Sequence, residues 1–173
     1  MGLAPTTSTT ATLAMGDALA VALLSRRGFN AEQYRVFHPG GKLGGSLVKV
    51  EDLMHTGDAM PLAQEGTLMS EALIEISAKS FGCVGILDRN NILVGIITDG
   101  DLRRHMGADL LGMAVNDVMT RDPQTISSQA LAGEALAQMN STGFNGITCL
   151  FVVDEGQTIS IISVHDCLRS GVM

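Results

Sequence analysis

The stretch that decides the fold of this 173-residue chain reads Gly95-Ile96-Ile97-Thr98-Asp99-Gly100-Asp101-Leu102-Arg103-Arg104. A related stretch follows at an offset of 65 residues and reads Ser160-Ile161-Ile162-Ser163-Val164-His165-Asp166-Cys167-Leu168-Arg169. Each stretch is an apolar strand followed by a helix, with a hydroxyl at the strand end and a carboxylate three residues later. Two such junctions in one chain predict an internal repeat.

Further matches extend the repeat over the second two-thirds of the chain. The segment Val50-Glu51-Asp52-Leu53-Met54 returns as Val115-Asn116-Asp117-Val118-Met119, and Glu71-Ala72-Leu73 returns as Glu134-Ala135-Leu136. Each copy is typical of a short helix, an extended stretch, a helix (about 68–80 or 130–141), a two-strand hairpin and a final helix. A unit of about 60 residues is only marginally stable alone. We therefore expect an α/β (α+β) pair with two-fold pseudo-symmetry, formed by residues 47–108 and 109–173.

The repeated junction has two interpretations. In the first, the junction recognises a nucleotide: the hydroxyl of Thr98 or Ser163 and the helix start contact phosphate, and the carboxylate of Asp101 or Asp166 accepts hydrogen bonds from both ribose hydroxyls. In the second, the [ST]-x-x-[DE] pattern is a capping box that satisfies the amides of its own helix. Repetition at equivalent places favours a shared cleft along the pseudo-dyad, but both interpretations stay open.

The candidate ligand-binding residues follow from these junctions. Arg104 and Arg169 share the repeat offset, and His165 is included because it lies inside the second junction. Asp99, beside the expected phosphate position, disfavours a polyphosphate. The candidate set is Thr98, Asp101, Arg104, Ser163, His165 and Asp166.

Composition and charge exclude several classes of protein. With 46% hydrophobic and 17% charged residues, the chain can bury a core, which excludes wholesale disorder. Eleven basic and 18 acidic residues give a net charge of −7, which argues against a broad surface for nucleic acid or anionic lipid. We expect neither as a partner.

Cysteine and histidine usage argues against disulfide and metal frameworks. The three cysteines are odd in number and show no CxxC pairing, so we expect buried thiols in a reducing compartment. The spacing of the four histidines suggests no shared metal site. The sequence has neither a run of about 18 consecutive apolar residues nor the pattern of a signal peptide. We therefore expect a cytoplasmic protein.

Residues 11–24, ATLAMGDALAVALL, predict a helix. Hydroxyl residues 6–10 precede it as expected caps, and Arg26, Arg27 and Gly28 follow it. Its apolar side chains occupy nearly every face, and such a helix must be covered all round. Nothing else in the first fifty residues could cover it, so we expect association through this helix.

A short helix and a glycine-rich loop follow. Asn30 and Gln33 resemble a capping box that opens a helix to about Phe37, and the loop reads His38-Pro39-Gly40-Gly41-Lys42-Leu43-Gly44-Gly45. The loop lacks the GxxxxGK[ST] spacing of a P-loop. An imidazole held by this turn could act as a general acid or base, or make only a structural hydrogen bond.

The repeat resembles a tandem cystathionine beta-synthase (CBS) pair. That family carries a G-h-h-[ST]-x-x-D junction which binds adenosine or cytidine nucleotides, and the resemblance covers residues from about 47 to 173. It implies nucleotide-contacting roles for the hydroxyls and carboxylates of both junctions. Ser160 departs from the pattern where the first copy has Gly95, which argues against close ligand approach at the second junction.

Residues 3–11, 16–20 and 37–44, in that succession before a CBS pair, resemble the arabinose-5-phosphate isomerase family. The resemblance implies that residues 1–46 end a sugar isomerase (SIS) domain. It also implies that His38 is the catalytic-site histidine. The family interconverts ribulose 5-phosphate and arabinose 5-phosphate in synthesis of the lipopolysaccharide sugar Kdo. No cofactor is implied beyond a regulatory nucleotide, namely CMP-Kdo, CMP, AMP or ATP.

The same resemblance predicts that this chain alone is inactive. Isomerisation needs a base that moves a proton between adjacent carbons and a firm grip on the phosphate, and His38 cannot supply both. The family's catalytic Lys and Glu residues and phosphate-binding loops are expected upstream, in the full-length enzyme that binds the sugar phosphate. We expect a homo-oligomer, formed through the CBS pairs and helix 11–24. The alternative function is a purely structural dimerisation module.

Overall fold

The computed structural model describes residues 5–30, 33, 47–107, 109–141 and 147–171. The helices in these ranges are α1 Thr7–Arg26, α2 Met69–Lys79, α3 Asp99–Arg104, α4 Val115–Val118, α5 Ala132–Asn140 and α6 Val164–Arg169. The strands are β1 His55–Thr56, β2 Leu62–Gln64, β3 Cys83–Leu87, β4 Leu93–Thr98, β5 Thr120–Arg121, β6 Thr125–Ile126, β7 Cys149–Asp154 and β8 Gln157–Ser163. Short 3₁₀ helices span Val50–Asp52, Gly57–Ala59 and Leu110–Gly112.

The predicted repeat is confirmed by two four-stranded sheets. Their strand orders are β2-β3-β4-β5 and β1-β8-β7-β6. In each sheet an antiparallel hairpin, β3–β4 or β7–β8, is flanked by a parallel strand, β2 or β6. Helices α2 and α5 match the predicted helices over 68–80 and 130–141 to within two residues at each end. Residues 50–107 are called the first copy below, and residues 115–171 the second.

The fourth strand of each sheet comes from the other copy. Strand β1 of the first copy pairs antiparallel with β8 of the second, and β5 of the second copy pairs antiparallel with β4 of the first. His55 lies opposite Ile161 and Thr120 lies opposite Ile96, so the two pairings are related by the repeat offset. The sequence predicted neither exchange.

The opening helices of the two copies are exchanged as well. The amide of Val50 donates to the carbonyl of Ala130 at 2.9 Å, and the amide of Val115 donates to the carbonyl of Thr67 at 2.9 Å. Val50 is fully buried in the core of the second copy, and Val115 is fully buried in the core of the first. Because each copy completes the core of the other, we expect neither to be stable alone.

A third apolar cluster joins the two sheets. Phe151 of β7 is fully buried in it and lies at the position equivalent to Gly85 of β3. A β-carbon at Gly85 would lie 2.6 Å from Cζ of Phe151, which is closer than any real contact. One phenylalanine therefore fills the space at the pseudo-dyad, and only glycine fits opposite it.

Helix α1 confirms the predicted helix but not its predicted caps. It begins at Thr7 with Thr6 as its N-cap residue, so the other four hydroxyl residues of the run lie inside the helix. The hydroxyl of Thr10 donates to the carbonyl of Thr6 at 3.1 Å, and that of Thr12 donates to the carbonyl of Ser8 at 2.9 Å. These hydroxyls bond to carbonyls one turn earlier, and the Thr6 side chain accepts no capping hydrogen bond. The expectation of hydroxyl caps is therefore wrong.

No residue of α1 is buried, and its apolar side chains include Leu13 at 70% and Met15 at 63% exposure. The sequence has no run of about 18 consecutive apolar residues. Even so, α1 has a mean hydropathy of 1.3 and is long and apolar enough to cross a membrane. One such helix is weak support for a membrane span, since core helices meet the same criterion. The described residues leave this helix uncovered.

The Asn30–Gln33 capping box is confirmed. The amide of Gln33 donates to Oδ1 of Asn30 at 3.0 Å, and the amide of Asn30 donates to Oε1 of Gln33 at 3.3 Å. The rest of the short helix predicted to reach Phe37 lies outside the described residues. The glycine-rich loop with His38 also lies outside them.

Candidate functional site

A cleft of about 870 Å³ lies between the two copies, where β4 and β8 end. It brings together five of the residues predicted from the sequence, namely Thr98, Arg104, Ser163, His165 and Asp166. Asp101 lies behind this wall, hydrogen-bonded to Thr98 and Arg104. The predicted catalytic-site residue His38 is outside the described residues, so its relation to the cleft is not defined.

The first junction, called site 1, consists of Thr98, Asp101, Arg104 and Thr120. The amide and hydroxyl of Thr98 donate to Oδ2 of Asp101 at 2.8 and 2.6 Å. The hydroxyl of Thr120 donates to the other oxygen, Oδ1, at 2.8 Å, and the Arg104 guanidinium binds the same atom. Both carboxylate oxygens are thus occupied by the chain itself, and the Asp101 side chain is only 2% exposed.

The hydrogen bonds of site 1 keep Asp101 ionised. Burial alone would raise the pKa of this carboxyl, because it disfavours the charged form. Hydrogen bonds from Thr98, Thr120 and Arg104 together outweigh burial, so the pKa of Asp101 is lowered. The buried charge is therefore compensated within the chain.

The second junction, called site 2, consists of His55, Ser163, Asp166 and Arg169. The amide and hydroxyl of Ser163 donate to Oδ2 of Asp166 at 3.0 and 2.6 Å, and Nε2 of His55 lies 3.1 Å from the same oxygen. The other oxygen, Oδ1, accepts no hydrogen bond from the described part of the chain. The Asp166 side chain is 14% exposed. Site 2 therefore keeps one acceptor oxygen available to a ligand.

The Asp166 carboxyl is also held ionised. Burial opposes the charge, but the hydrogen bonds from Ser163 and the contact with His55 outweigh it and lower the pKa of Asp166. An ionised carboxylate is the stronger acceptor for hydroxyl donors.

His55 and Thr120 are site residues that the sequence did not predict. They occupy equivalent positions on the exchanged strands β1 and β5, and each reaches the carboxylate of the other copy. The offset of 65 residues between them was a visible signal. It could not be used without knowing that the strands are exchanged.

The cleft concentrates positive charge in a chain whose net charge is −7. The carboxylates that line it include Asp99 and Asp166. Among the described residues, four fixed cations line it, namely Lys79, Arg103, Arg104 and Arg169. This local excess suits an anionic ligand despite the acidic chain.

An apolar surface adjoins site 2. The rings of His55 and Phe81 meet edge to face, with centroids 5.3 Å apart and an interplanar angle of 66°. Both rings line the cleft together with Ile147. A flat heterocyclic base next to Asp166 would contact this surface.

The substitution of Ser160 for glycine does not affect the cleft wall directly. Neither Gly95 nor Ser160 is among the residues lining the cleft. A β-carbon at Gly95 would lie 2.4 Å from Sδ of Met119, so packing against Met119 explains the glycine. Ser160 is fully buried, and its hydroxyl has no partner among the described residues. Its position gives no support to the expectation that it limits ligand approach.

Comparisons with known proteins agree with this architecture. Arabinose 5-phosphate isomerase KdsD of Escherichia coli (strain K12) is 47% identical over 176 residues, which cover all of this chain and 53% of that protein. The enzyme of the same name from Yersinia pestis is 48% identical with the same coverage. The chain thus spans about half the length of these curated relatives.

A solved structure and a family model identify the fold. The crystal structure of CBSX2 in complex with AMP has a TM-score of 0.60 at 25% sequence identity, and the match covers 71% of this chain and 95% of that one. The model of the CBS domain matches residues 50–108 and again residues 115–172. Because the two matches take in most of the sequence and coincide with the two copies, the chain belongs to the CBS domain family.

Proposed function

We propose that this chain is the regulatory CBS-pair portion of an arabinose 5-phosphate isomerase, and that its cleft binds a nucleotide or sugar nucleotide. Similarity along the whole chain to proteins of that name supports the first part. The observation that carries the second part is the convergence of both junctions on one cationic cleft. A neighbour of the same fold, CBSX2, was crystallised with AMP.

The ligand is oriented by the groups around site 2. Both ribose hydroxyls donate to Asp166, whose Oδ1 is available, and the base lies against His55 and Phe81. Arg169 and the arginines of the opposite wall are within the cleft to bind phosphate. A carboxylate that accepts two hydroxyl donors distinguishes ribose from deoxyribose, because the latter lacks one donor.

The ligand candidates are CMP-Kdo, CMP, AMP and ATP. Asp99 lies at the cleft wall beside site 1 and repels a long phosphate chain, so we expect ATP to bind more weakly than AMP. The family resemblance favours CMP-Kdo, since a downstream sugar nucleotide is the sensible feedback ligand. A ligand that contacts both copies regulates the enzyme only if it binds two conformations with different affinity.

The remaining assignments rest on the family resemblance. Residues 1–46 are the end of a SIS domain, residues 47–108 and 109–173 are the two CBS domains, and His38 belongs to the catalytic site. The chain spans about half the length of its relatives. On the proposed function it is inactive alone, and protein corresponding to the other half of the relatives packs against α1. The CBS pairs and α1 form a cytoplasmic homo-oligomer.

A second candidate function is a structural dimerisation module. The specific observation in its favour is that the capping box is formed in both junctions. On this hypothesis Asp101 and Asp166 stabilise their own helices and the cleft has no physiological ligand.

Isothermal titration calorimetry separates the two functions. We expect CMP-Kdo, CMP or AMP to give binding heat with the wild-type chain, and Asp166→Asn to lose it while folding normally. If the junctions are only caps, none of the four nucleotides gives heat and the variant only loses about 1 kcal/mol of stability. Ser170→Ala, a substitution outside the cleft near the same helix, is the matched control.

Assays of arabinose 5-phosphate conversion test the enzymatic assignment. The purified 173-residue chain should show no turnover, whereas a protein that also supplies the half found in its relatives should be active. Turnover by this chain alone would refute the proposal that catalysis requires the other half found in the relatives.

A further inference from the structure

Two buried cysteines lie next to each other in the wall of the cleft. Cys83 begins β3 and Cys149 begins β7, and their positions are equivalent because they pair with Thr98 and Ser163. Both belong to the apolar cluster between the sheets, and they are 2% and 5% exposed. Each nevertheless lines the cleft, so a small solute in the cleft can reach them.

The two thiols are neighbours in one buried cluster. The thiol of Cys149 donates to the carbonyl oxygen of Phe81 at 3.3 Å, two residues before Cys83. The nearby Cys149 side chain raises the pKa of Cys83, and burial acts in the same direction. The Cys83 side chain lowers the pKa of Cys149, although burial opposes this. The lowered pKa favours Cys149 as the attacking thiol of the two.

We propose that Cys83 and Cys149 form a redox-modification site, in which hydrogen peroxide generates a disulfide that joins β3 to β7 across the pseudo-dyad. The site needs no nucleotide, so it stands apart from the proposed function. The third cysteine, Cys167, is fully buried in the core of the second copy and does not line the cleft. It supplies an internal control.

The chemistry balances in two steps. The Cys149 thiolate attacks one peroxide oxygen, the O–O bond breaks, and a sulfenic acid forms while hydroxide leaves and takes up a proton to give water. The Cys83 sulfur then attacks the sulfenic sulfur, the S–O bond breaks, and the leaving hydroxide takes the Cys83 proton as water. Two thiols lose two electrons in total, and one peroxide is reduced to two waters.

The disulfide would constrain the cleft. It connects the sheet of the first copy to the sheet of the second at the wall that carries both junctions. Any motion that changes the spacing of β3 and β7 is then blocked until a thiol reductant restores the pair.

The test is thiol mapping of the full chain. The purified protein is treated with hydrogen peroxide, denatured, alkylated and analysed by intact mass and by non-reducing peptide mapping. We expect one alkylated cysteine, Cys167, together with a Cys83–Cys149 linked peptide that dithiothreitol removes. Untreated protein should show all three cysteines alkylated.

Serine variants assign the two roles. After peroxide treatment, Cys83→Ser should carry a sulfenic acid on Cys149 that dimedone traps. Cys149→Ser should react with neither hydrogen peroxide nor dimedone. Cys167→Ser should form the disulfide as the wild type does. If the serine variants fail to fold, the wild-type map decides by itself. Three free thiols after peroxide, a link that includes Cys167, or a link between two chains would overturn the proposal.

Discussion

Sites 1 and 2 share one sequence pattern and one capping box, yet they offer different chemistry to a ligand. At site 1, Thr120 and Arg104 occupy the oxygen of Asp101 that the cap leaves over. At site 2, His55 shares the oxygen already used by Ser163, so Oδ1 of Asp166 stays available. The difference comes from Thr120 on the exchanged strand and from Arg104 on the helix of site 1 itself. The junction motif therefore defines where a site can form, and the groups around its carboxylate decide whether an acceptor oxygen stays available.

The largest expected effect is a loss of stability when the packing between the two copies is weakened. Phe151→Ala removes a large, fully buried side chain between the sheets, and Gly85 opposite it contributes no side chain to fill the space. We expect a loss of about 3–5 kcal/mol in the free energy of unfolding. Urea denaturation measures it, with Phe151→Leu as a control that should lose clearly less. Equal stability of Phe151→Ala and wild type would show that this cluster does not hold the copies together.

The two aspartates can be compared directly by nucleotide affinity. Asp166→Asn should weaken binding about 10- to 100-fold, since hydrogen bonds to a charged group contribute about 1.5–3 kcal/mol. Asp101→Asn should change affinity by less than about threefold, because both oxygens of Asp101 are occupied by the chain. Calorimetry at constant ionic strength provides both values. Equal losses in the two variants would contradict the proposed asymmetry, whereas no binding by wild type would refute the nucleotide site itself.

The pH dependence of the free energy of unfolding also tests the two carboxyls. Both pKa values are lowered in the folded protein, so their stabilising contribution is fully present above the ordinary pKa of aspartate, about 3.9. It is lost as the pH falls through the lowered folded values. We expect the free energy of unfolding to decline below about pH 4, and less steeply in Asp101→Asn and Asp166→Asn. Urea midpoints between neutral and acidic pH test this, and unchanged slopes in both variants would contradict it.

The smallest effects should come from the exchanged strands. His55→Ala removes a contact that is 42% exposed, so we expect less than about 1 kcal/mol of destabilisation. Thr120→Ala removes a hydrogen bond to a buried carboxylate and should cost about 1–2 kcal/mol. Thermal unfolding of the two variants ranks their losses of stability. If His55→Ala is the more harmful variant, the interpretation that site 1 is the closed and structural one is wrong.

Much of the candidate site was predictable from the sequence. Thr98 and Ser163 end strands at a common offset, and the carboxylates three residues later are what a strand-to-helix junction requires. That local pattern located five cleft residues and both capping boxes. It could not rank the sites, because Thr120 and His55, which contact the two carboxylates, lie on the strands that the copies exchange.

At the start of α1, the local preference of hydroxyl residues for helix caps gave a wrong prediction. Hydroxyl residues are favoured as caps, but Thr10 and Thr12 continue the helix and bond to carbonyls within it. Hydroxyl side chains can serve either function, so composition alone did not locate the first residue of the helix. The apolar character of its whole surface, by contrast, was predictable and is found uncovered in the described residues.

The sequence by itself determined the repeat, the order of helices and strands in each copy, and the positions of the two junctions, because these depend on periodicity and on contacts within a few residues. Tertiary structure alone decided that β1 and β5 each join the sheet of the other copy, that His55 and Thr120 contact the opposite carboxylates, and that Cys83 and Cys149 share one buried cluster. The two carboxylate contacts join residues 19 positions apart in one case and 111 in the other. Their energy comes from burying two incomplete cores against each other, and no local pattern records which segment completes which core.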